Sequence, residues 1–522
     1  MSFLEYLRAL ISDTVPTSGM GYSYLLAVSV LLLGYLAMSE NPIGRGGFPV
    51  ANPKRRFEFV TLVRVTQFIK TPREQLASFA RKYQQVPYWL NMELGKVLVL
   101  PPYMIGEIRV NPNMSSLAAI QQIQNGSLKG FEPIGQVVDA RFLKLIKEEL
   151  TNKNLGKMIP AISNEISESL PVIFPDCSEW KEFDLGERII RLVARSSSRV
   201  FGGKTFCRSE AWLQAMVRYT KHFLIASIIL RFFPTWSKAW VQWVLPSCWL
   251  LRYDLVKCRR AIRPILDERK AELKRADENG DEAEYALDDA INARIEGIDL
   301  ATVHITLAMV AIHTTADLLE KVLVVLSEHK ELIEPLRQET VSVLSSHGLS
   351  SSGLAHLELM DSVLKETQRQ NPVANFFLNR VSLDDFELSN GMVVPKDTIL
   401  GIGPTHMWDE SFYEKGRDFD GRRFLRMRQD PEMKSQSSLV STSPHHLGFG
   451  HGSHSCAGRF FAANEVKILL CHILLSYEWK FLSEERKILD LGVLNAVHPR
   501  TKVQMRRRKA ELDLDSITCQ DN

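Results

Sequence analysis

Near the C-terminal end of the chain, glycines crowd around one cysteine, and they restrict what can form there more than any other feature. From Leu447 the sequence reads L-G-F-G-H-G-S-H-S-C-A-G-R-F. Gly450, Gly452 and Gly458 permit a tight loop whose backbone approaches a flat group closely. A long helical pattern follows from Arg459, so a helix N-terminus is expected to point at Cys456. Backbone N–H donors and the positive end of a helix both stabilise a thiolate. A thiolate held in this way suits an iron ligand. Phe449 is placed to cover one side of a planar ring, and His454 to donate to an acidic group on its edge. Zinc is the competing assignment, because His445, His446, His451, His454 and Cys456 lie together. His-x-x-His-x-Cys is not a common zinc spacing, however, and a second ligand pair would be expected.

The 522 residues are enough to bury a large core, and 45% hydrophobic with 24% charged residues is ordinary globular composition. A net charge of +3 argues against a nucleic-acid partner. The seven cysteines are scattered and odd in number, which argues against a disulfide framework and for a reducing compartment. Helical patterns dominate from Gln136 to about Arg369, and strand signals return after Pro372. A mainly α body with small β-sheets is expected. Tyr22 to Met38 carries no charge and as a helix would reach ~25 Å, enough for a short membrane span. Lys54-Arg55-Arg56 after it favours a cytosolic C-terminal side. The expected organisation is a lumenal segment (1–21), a transmembrane signal anchor (22–38), a Pro/Gly/basic hinge (39–56), one large domain (57–510) and a polar tail (511–522). Leu224 to Leu251 holds Trp236, Trp240, Trp243 and Trp249. It reads either as a core helix pair or as a patch that dips into the same membrane.

Phe449-x-x-Gly452-x-x-x-Cys456-x-Gly458 matches the heme-binding signature of the cytochrome P450 family, and the chain resembles that family over nearly its whole length. About ninety residues earlier, Glu366-x-x-Arg369 places an acid and a base on one helix face. Phe419 to Phe424 resembles the family's F-x-P-x-R-F segment with Gly421 in place of proline, and Arg423 would complete a structural network with Glu366 and Arg369. Asp299 is expected to cap a buried helix from Leu300 to about Leu326. Within it Val310 to Thr315 resembles the oxygen-activation motif. Ala311 is small enough to lie against heme, and Thr314 matches the hydroxyl that holds water and dioxygen. His313 departs from the family, where an acid is usual; it would either relay protons or fill a core hydrogen-bonding slot. The family's W-x-x-x-R motif is missing between residues 112 and 160, and Lys153 is the candidate substitute.

The resemblance implies a heme-thiolate monooxygenase domain over 57–510. Cys456 would be the axial iron ligand of heme b, with Arg380 and His454 on its propionates. Electrons would come from NADPH through a membrane-bound cytochrome P450 reductase, with cytochrome b5 as a second donor, at the endoplasmic reticulum with the catalytic domain cytosolic. The His-Thr-Thr segment and the residues around Cys456 resemble fungal ent-kaurene oxidase-like enzymes, which oxidise diterpenes and indole-diterpenes. A hydrophobic terpenoid or meroterpenoid substrate in secondary metabolism follows, in a pocket lined by Phe131, Ala308, Ala311, residues 373–377 and 493–497. Two other functions compete. A heme-thiolate isomerase or dehydratase would need no reductase, but Thr314 argues against it. A non-catalytic heme-binding protein would need neither the relay helix nor an apolar pocket.

Overall fold

A computed structural model of the chain describes residues 45–53, 62–84, 86–136, 140–150, 152–279, 287, 299–482 and 488–517. The expected anchor at 22–38 lies outside the described residues. Among those described, no helix is long and apolar enough to cross a membrane.

The central element is a helix, Leu300–Glu328. It is apolar on nearly every side, which is the pattern of a helix enclosed by protein, and its residues from Ala301 to Met309 are all buried. Asp299 occupies its N-cap position. The carboxylate accepts a hydrogen bond from the Thr302 hydroxyl at 2.6 Å, in place of the backbone N–H expected of a cap. Around this helix pack Leu185–Arg208, Pro246–Asn279, Glu358–Gln370 and the helix that follows the cysteine loop, Arg459–Ser476. They share one continuous hydrophobic core.

A five-stranded sheet flanks the helical body, in the order Tyr88–Met92, Gly95–Val99, Ile399–Ile402, Phe377–Ser382, Met114–Ser115. The Gly95–Val99 and Ile399–Ile402 strands run parallel, with Leu98 opposite Leu400. The hairpin Ile488–Leu491 with Leu494–Val497 forms a second, two-stranded sheet.

Two expected boundaries move. Residues 48–51 of the 39–56 hinge are docked: Phe48 and Ala51 are buried, and Pro49 and Ala51 exchange backbone hydrogen bonds with Trp89 at 2.8 Å. Apolar side chains between the prolines drive this, and the edge strand supplies the bonding groups. Residues 511–517 also pack on the domain, since Leu514 is buried and the Ser167 hydroxyl donates to Asp515 at 2.5 Å.

The tryptophan-rich segment is part core and part surface. Glu210–Arg231 packs on Pro246–Asn279 through buried Ala226, Leu230, Cys248 and Leu251. The connection between them exposes Trp236 (66%), Trp240 (76%) and Trp243 (54%), and the first turn of Pro246–Asn279 exposes Trp249 (48%).

Candidate functional site

The cysteine loop is closed by its own backbone. The Cys456 N–H donates to the Phe449 carbonyl and the Gly450 N–H to Leu447, both at 2.8 Å. Gly450 and Gly452 sit at φ +70° and +80°, where a side chain would be strained. At Gly452 a Cβ would also lie 2.1 Å from the Arg109 side chain. Gly458 is the N-cap of the 18-residue helix Arg459–Ser476. Burial pushes the Cys456 thiol up, whereas a hydrogen bond from the Gly458 backbone and the Arg459 charge pull it down.

The sulfur opens into a cavity of about 430 Å³. Phe449, His454, Cys456 and Gly458 line it on one side, and Leu307, Ala311, Thr314 and Leu318 of the central helix line the other. The spacing of those four residues puts them on one helical face. The Thr314 hydroxyl donates to the Val310 carbonyl at 2.9 Å, which leaves its lone pairs for the cavity. His313 does not line the cavity. Its Nε2 is enclosed, has no hydrogen-bond partner among the described residues, and burial lowers the ring to about 4. It is therefore a neutral imidazole, turned about 100° around the helix from Thr314. This placement gives it no relay contact with the cavity.

Basic groups gather at one edge. Lys147 lines the cavity and donates from Nζ to the Ser453 carbonyl at 3.1 Å. Buried Arg380 donates from Nη1 to the Asn379 carbonyl at 2.9 Å, while its Nε and Nη2 are enclosed without partners among the described residues. The charges of Arg380 and Lys147 both act on His454, lowering it after burial. Enclosed guanidinium N–H groups are costly unless an anion meets them. An apolar cavity with a free thiol on one wall, Lys147 on its lining and the under-bonded Arg380 beside His454 fits heme and its two propionates.

Sequence reasoning missed Lys147. Its signal was position: it shares the face of the Ala140–Glu149 helix with Phe142, Leu143 and Ile146, all on the cavity. The Lys153 side chain lies outside the described residues. Phe131, Ala308 and the 493–497 hairpin do not line the cavity. Phe131 is enclosed against Phe223, ring centroids 5.3 Å apart, and Ala308 is buried in the core. Of residues 373–377 only Val373 reaches it. The histidines do not converge on a metal: His445 stacks on Phe412, and His446 Nε2 meets the Lys365 carbonyl at 3.2 Å.

Beneath the loop, Arg369 grips Glu366 with two parallel hydrogen bonds, 2.7 and 2.8 Å, and reaches the Met407 and Gly416 carbonyls. Arg423 Nε donates to the same carboxylate at 3.2 Å, and Nη1 to the Glu414 carbonyl. All three side chains are buried. Gly421, where the family pattern has proline, gives its carbonyl to the Ser362 hydroxyl at 2.7 Å, and a Cβ there would lie 2.6 Å from Leu332.

The chain is 36% identical to the cytochrome P450 monooxygenase eqxH of Fusarium heterosporum, over 95% of this chain and 97% of the relative. It is equally identical to the cytochrome P450 monooxygenase ptmU of Penicillium ochrochloron, over 93% and 97%. Among solved structures, the retinoic acid-bound cyanobacterial CYP120A1 superimposes with a TM-score of 0.63 at 15% identity, covering 85% of this chain and 96% of that one, a likeness of fold. The family model described as Cytochrome P450 matches residues 52–505, and with the thiol, the opposing threonine and Lys147 in one cavity, the chain belongs to the cytochrome P450 family.

Proposed function

We propose that this protein oxidises a hydrophobic, terpenoid-sized intermediate of fungal secondary metabolism at the endoplasmic reticulum membrane, using electrons passed from NADPH by a membrane-bound reductase. Family membership makes it a heme-thiolate monooxygenase that carries heme b and draws electrons from a redox partner. The observation that carries the reading is the cavity, where the Cys456 sulfur faces Thr314 across predominantly apolar walls.

When bound, heme activates dioxygen and allows one oxygen atom to enter a C–H bond while the other leaves as water. The chain's own residues divide the remaining work. Cys456 would hold the iron, with the helix N-terminus favouring its thiolate. Lys147, Arg380 and His454 would hold the propionates. The Thr314 hydroxyl is fixed by Val310 and presents an acceptor and a proton path at the reacting face. Leu307, Ala311, Leu318 and Val373 exclude water and favour a hydrocarbon skeleton.

Two features support the membrane location. Tyr22 to Met38 has the composition of a signal anchor, and the exposed tryptophans with Tyr253 make an apolar surface of the kind that settles at a lipid interface. A chain starting near Lys54 should lose most membrane association, measured by vesicle flotation; undiminished flotation would make the tryptophan surface the stronger anchor.

The functional test uses reduced holoenzyme with carbon monoxide, then reductase and NADPH with di- and meroterpenes. A strongly red-shifted Soret band and terpene-dependent NADPH consumption with an oxygenated product are expected. A band without any terpene-stimulated turnover would refute the substrate class, and turnover without reductase would favour an isomerase.

A further inference from the structure

Two chain segments beside the cavity meet on a single buried lysine. Lys321 lies one turn beyond Asp317 on the central helix and is fully enclosed. Its Nζ donates to Asp317 Oδ2 at 2.5 Å, to the Asn495 carbonyl at 2.9 Å and to the Pro372 carbonyl at 3.3 Å. These acceptors use all three N–H groups of an ammonium. Pro372 precedes Val373, which lines the cavity, and Asn495 belongs to the hairpin Ile488–Val497.

The two segments are also bonded to each other. The Asn375 N–H donates to the Val493 carbonyl at 2.9 Å, its Nδ2 donates to Gly492 at 3.1 Å, and Ala374 bridges Leu494. They form one bonded wall that reaches the cavity at Val373, and Lys321 fastens that wall to the helix. Asp317 lines the cavity next to Leu318, so the fastening begins at the cavity surface.

Stability alone does not account for the arrangement. A buried ion pair stabilises little more than apolar residues of the same volume, because removing both charges from water costs about what their attraction returns. It does fix geometry, since either charge left alone is expensive. The neighbouring Glu320 does not compete for the lysine, because burial and the Asp317 charge push it up to about 8 and keep it protonated at neutral pH.

We propose that Asp317 and Lys321 form a positioning clamp that sets the gap between the central helix and the wall at 372–375 and 493–495, and so determines how bulky a ligand the site above Cys456 accepts. This rests on the cavity being the substrate site.

The test compares wild-type holoenzyme with Lys321→Met and with the double variant Asp317→Leu/Lys321→Met, which removes both charges and so avoids an unpaired one. The probes are imidazole, which is small, and a triarylmethyl imidazole, which is bulky; absorbance titration gives the affinity of each. In both variants the carbon monoxide band should be retained, while the ratio of the two affinities shifts by about tenfold in the same direction, with Lys321→Met doing so without altering the cavity lining, the effect of one displaced contact. A ratio within about twofold of wild type would overturn the clamp. Loss of the heme band in both variants would overturn it too, because the pair would then hold the whole domain. Neither readout needs turnover, so failure to find a terpene substrate is a separate outcome.

Discussion

Two clusters of arginine lie near the cysteine loop, and their bonding states are opposite. Glu366, Arg369 and Arg423 form a closed network in which a carboxylate and the Met407, Glu414 and Gly416 carbonyls take up guanidinium N–H groups. Arg380 is as deeply buried, yet keeps two enclosed N–H groups without partners among the described residues. A satisfied buried cation belongs to the architecture, and an unsatisfied one is waiting for an anion from outside the chain. On the proposed reading, the difference separates arginines that hold the protein from an arginine that would hold the cofactor, although all look alike in sequence.

The largest expected effect lies between the clusters. Cys456→Ala should abolish the red-shifted carbon monoxide band entirely, with far-ultraviolet circular dichroism unchanged; a retained band would mean another ligand. Glu366→Gln attacks the closed network. Breaking a buried pair leaves two uncompensated arginines and should cost about 3–5 kcal/mol, seen as a lower urea midpoint with or without heme. A heme-dependent effect alone would erase the distinction.

Glu465 offers an intermediate case. One oxygen accepts from Ser196 at 2.6 Å and Ser197 at 2.7 Å, while Oε2 is enclosed without a partner among the described residues. Burial raises its carboxyl from 4.5 to about 7. The folded state therefore binds the proton more tightly than the unfolded state. That contribution is complete below about pH 4.5 and is lost as pH rises toward about 7. Glu465→Gln should flatten the decline, gaining up to about 3 kcal/mol above neutrality at about 1.4 kcal/mol per unit. Parallel stability–pH curves for the two proteins would show that the proton is not stored there.

The smallest effect is at the open edge. Arg380→Gln should leave the heme-free protein as stable as wild type, and should weaken heme retention by about tenfold in transfer to an apo acceptor. A heme-free protein destabilised as much as Glu366→Gln would place Arg380 with the architecture.

What was legible in the sequence was local. The loop glycines, the Glu366–Arg369 pair and the face carrying Ala311 and Thr314 depend on spacing within one element, and spacing is visible in a string. The partners of Lys147 and Lys321 lie 306 and 174 residues away, at Ser453 and Asn495, and no periodicity reports them. The docking of Phe48 and Ala51 was hidden for a different reason. Prolines and glycines around them imitate a free linker, whereas the edge strand that captures them is specified elsewhere. His313 shows the limit of motif alignment: an adjacent position in a helix is a different direction in space.

The loop's backbone bonding has an electrical consequence. The Cys456 amide is committed to the Phe449 carbonyl, and the Gly458 N–H donates at the sulfur. Each hydrogen bond to a metal-bound sulfur withdraws electron density and raises the reduction potential. With heme bound, the donor that this closed turn presents to Cys456 would thus bear on how strong a reductant the redox partner must be.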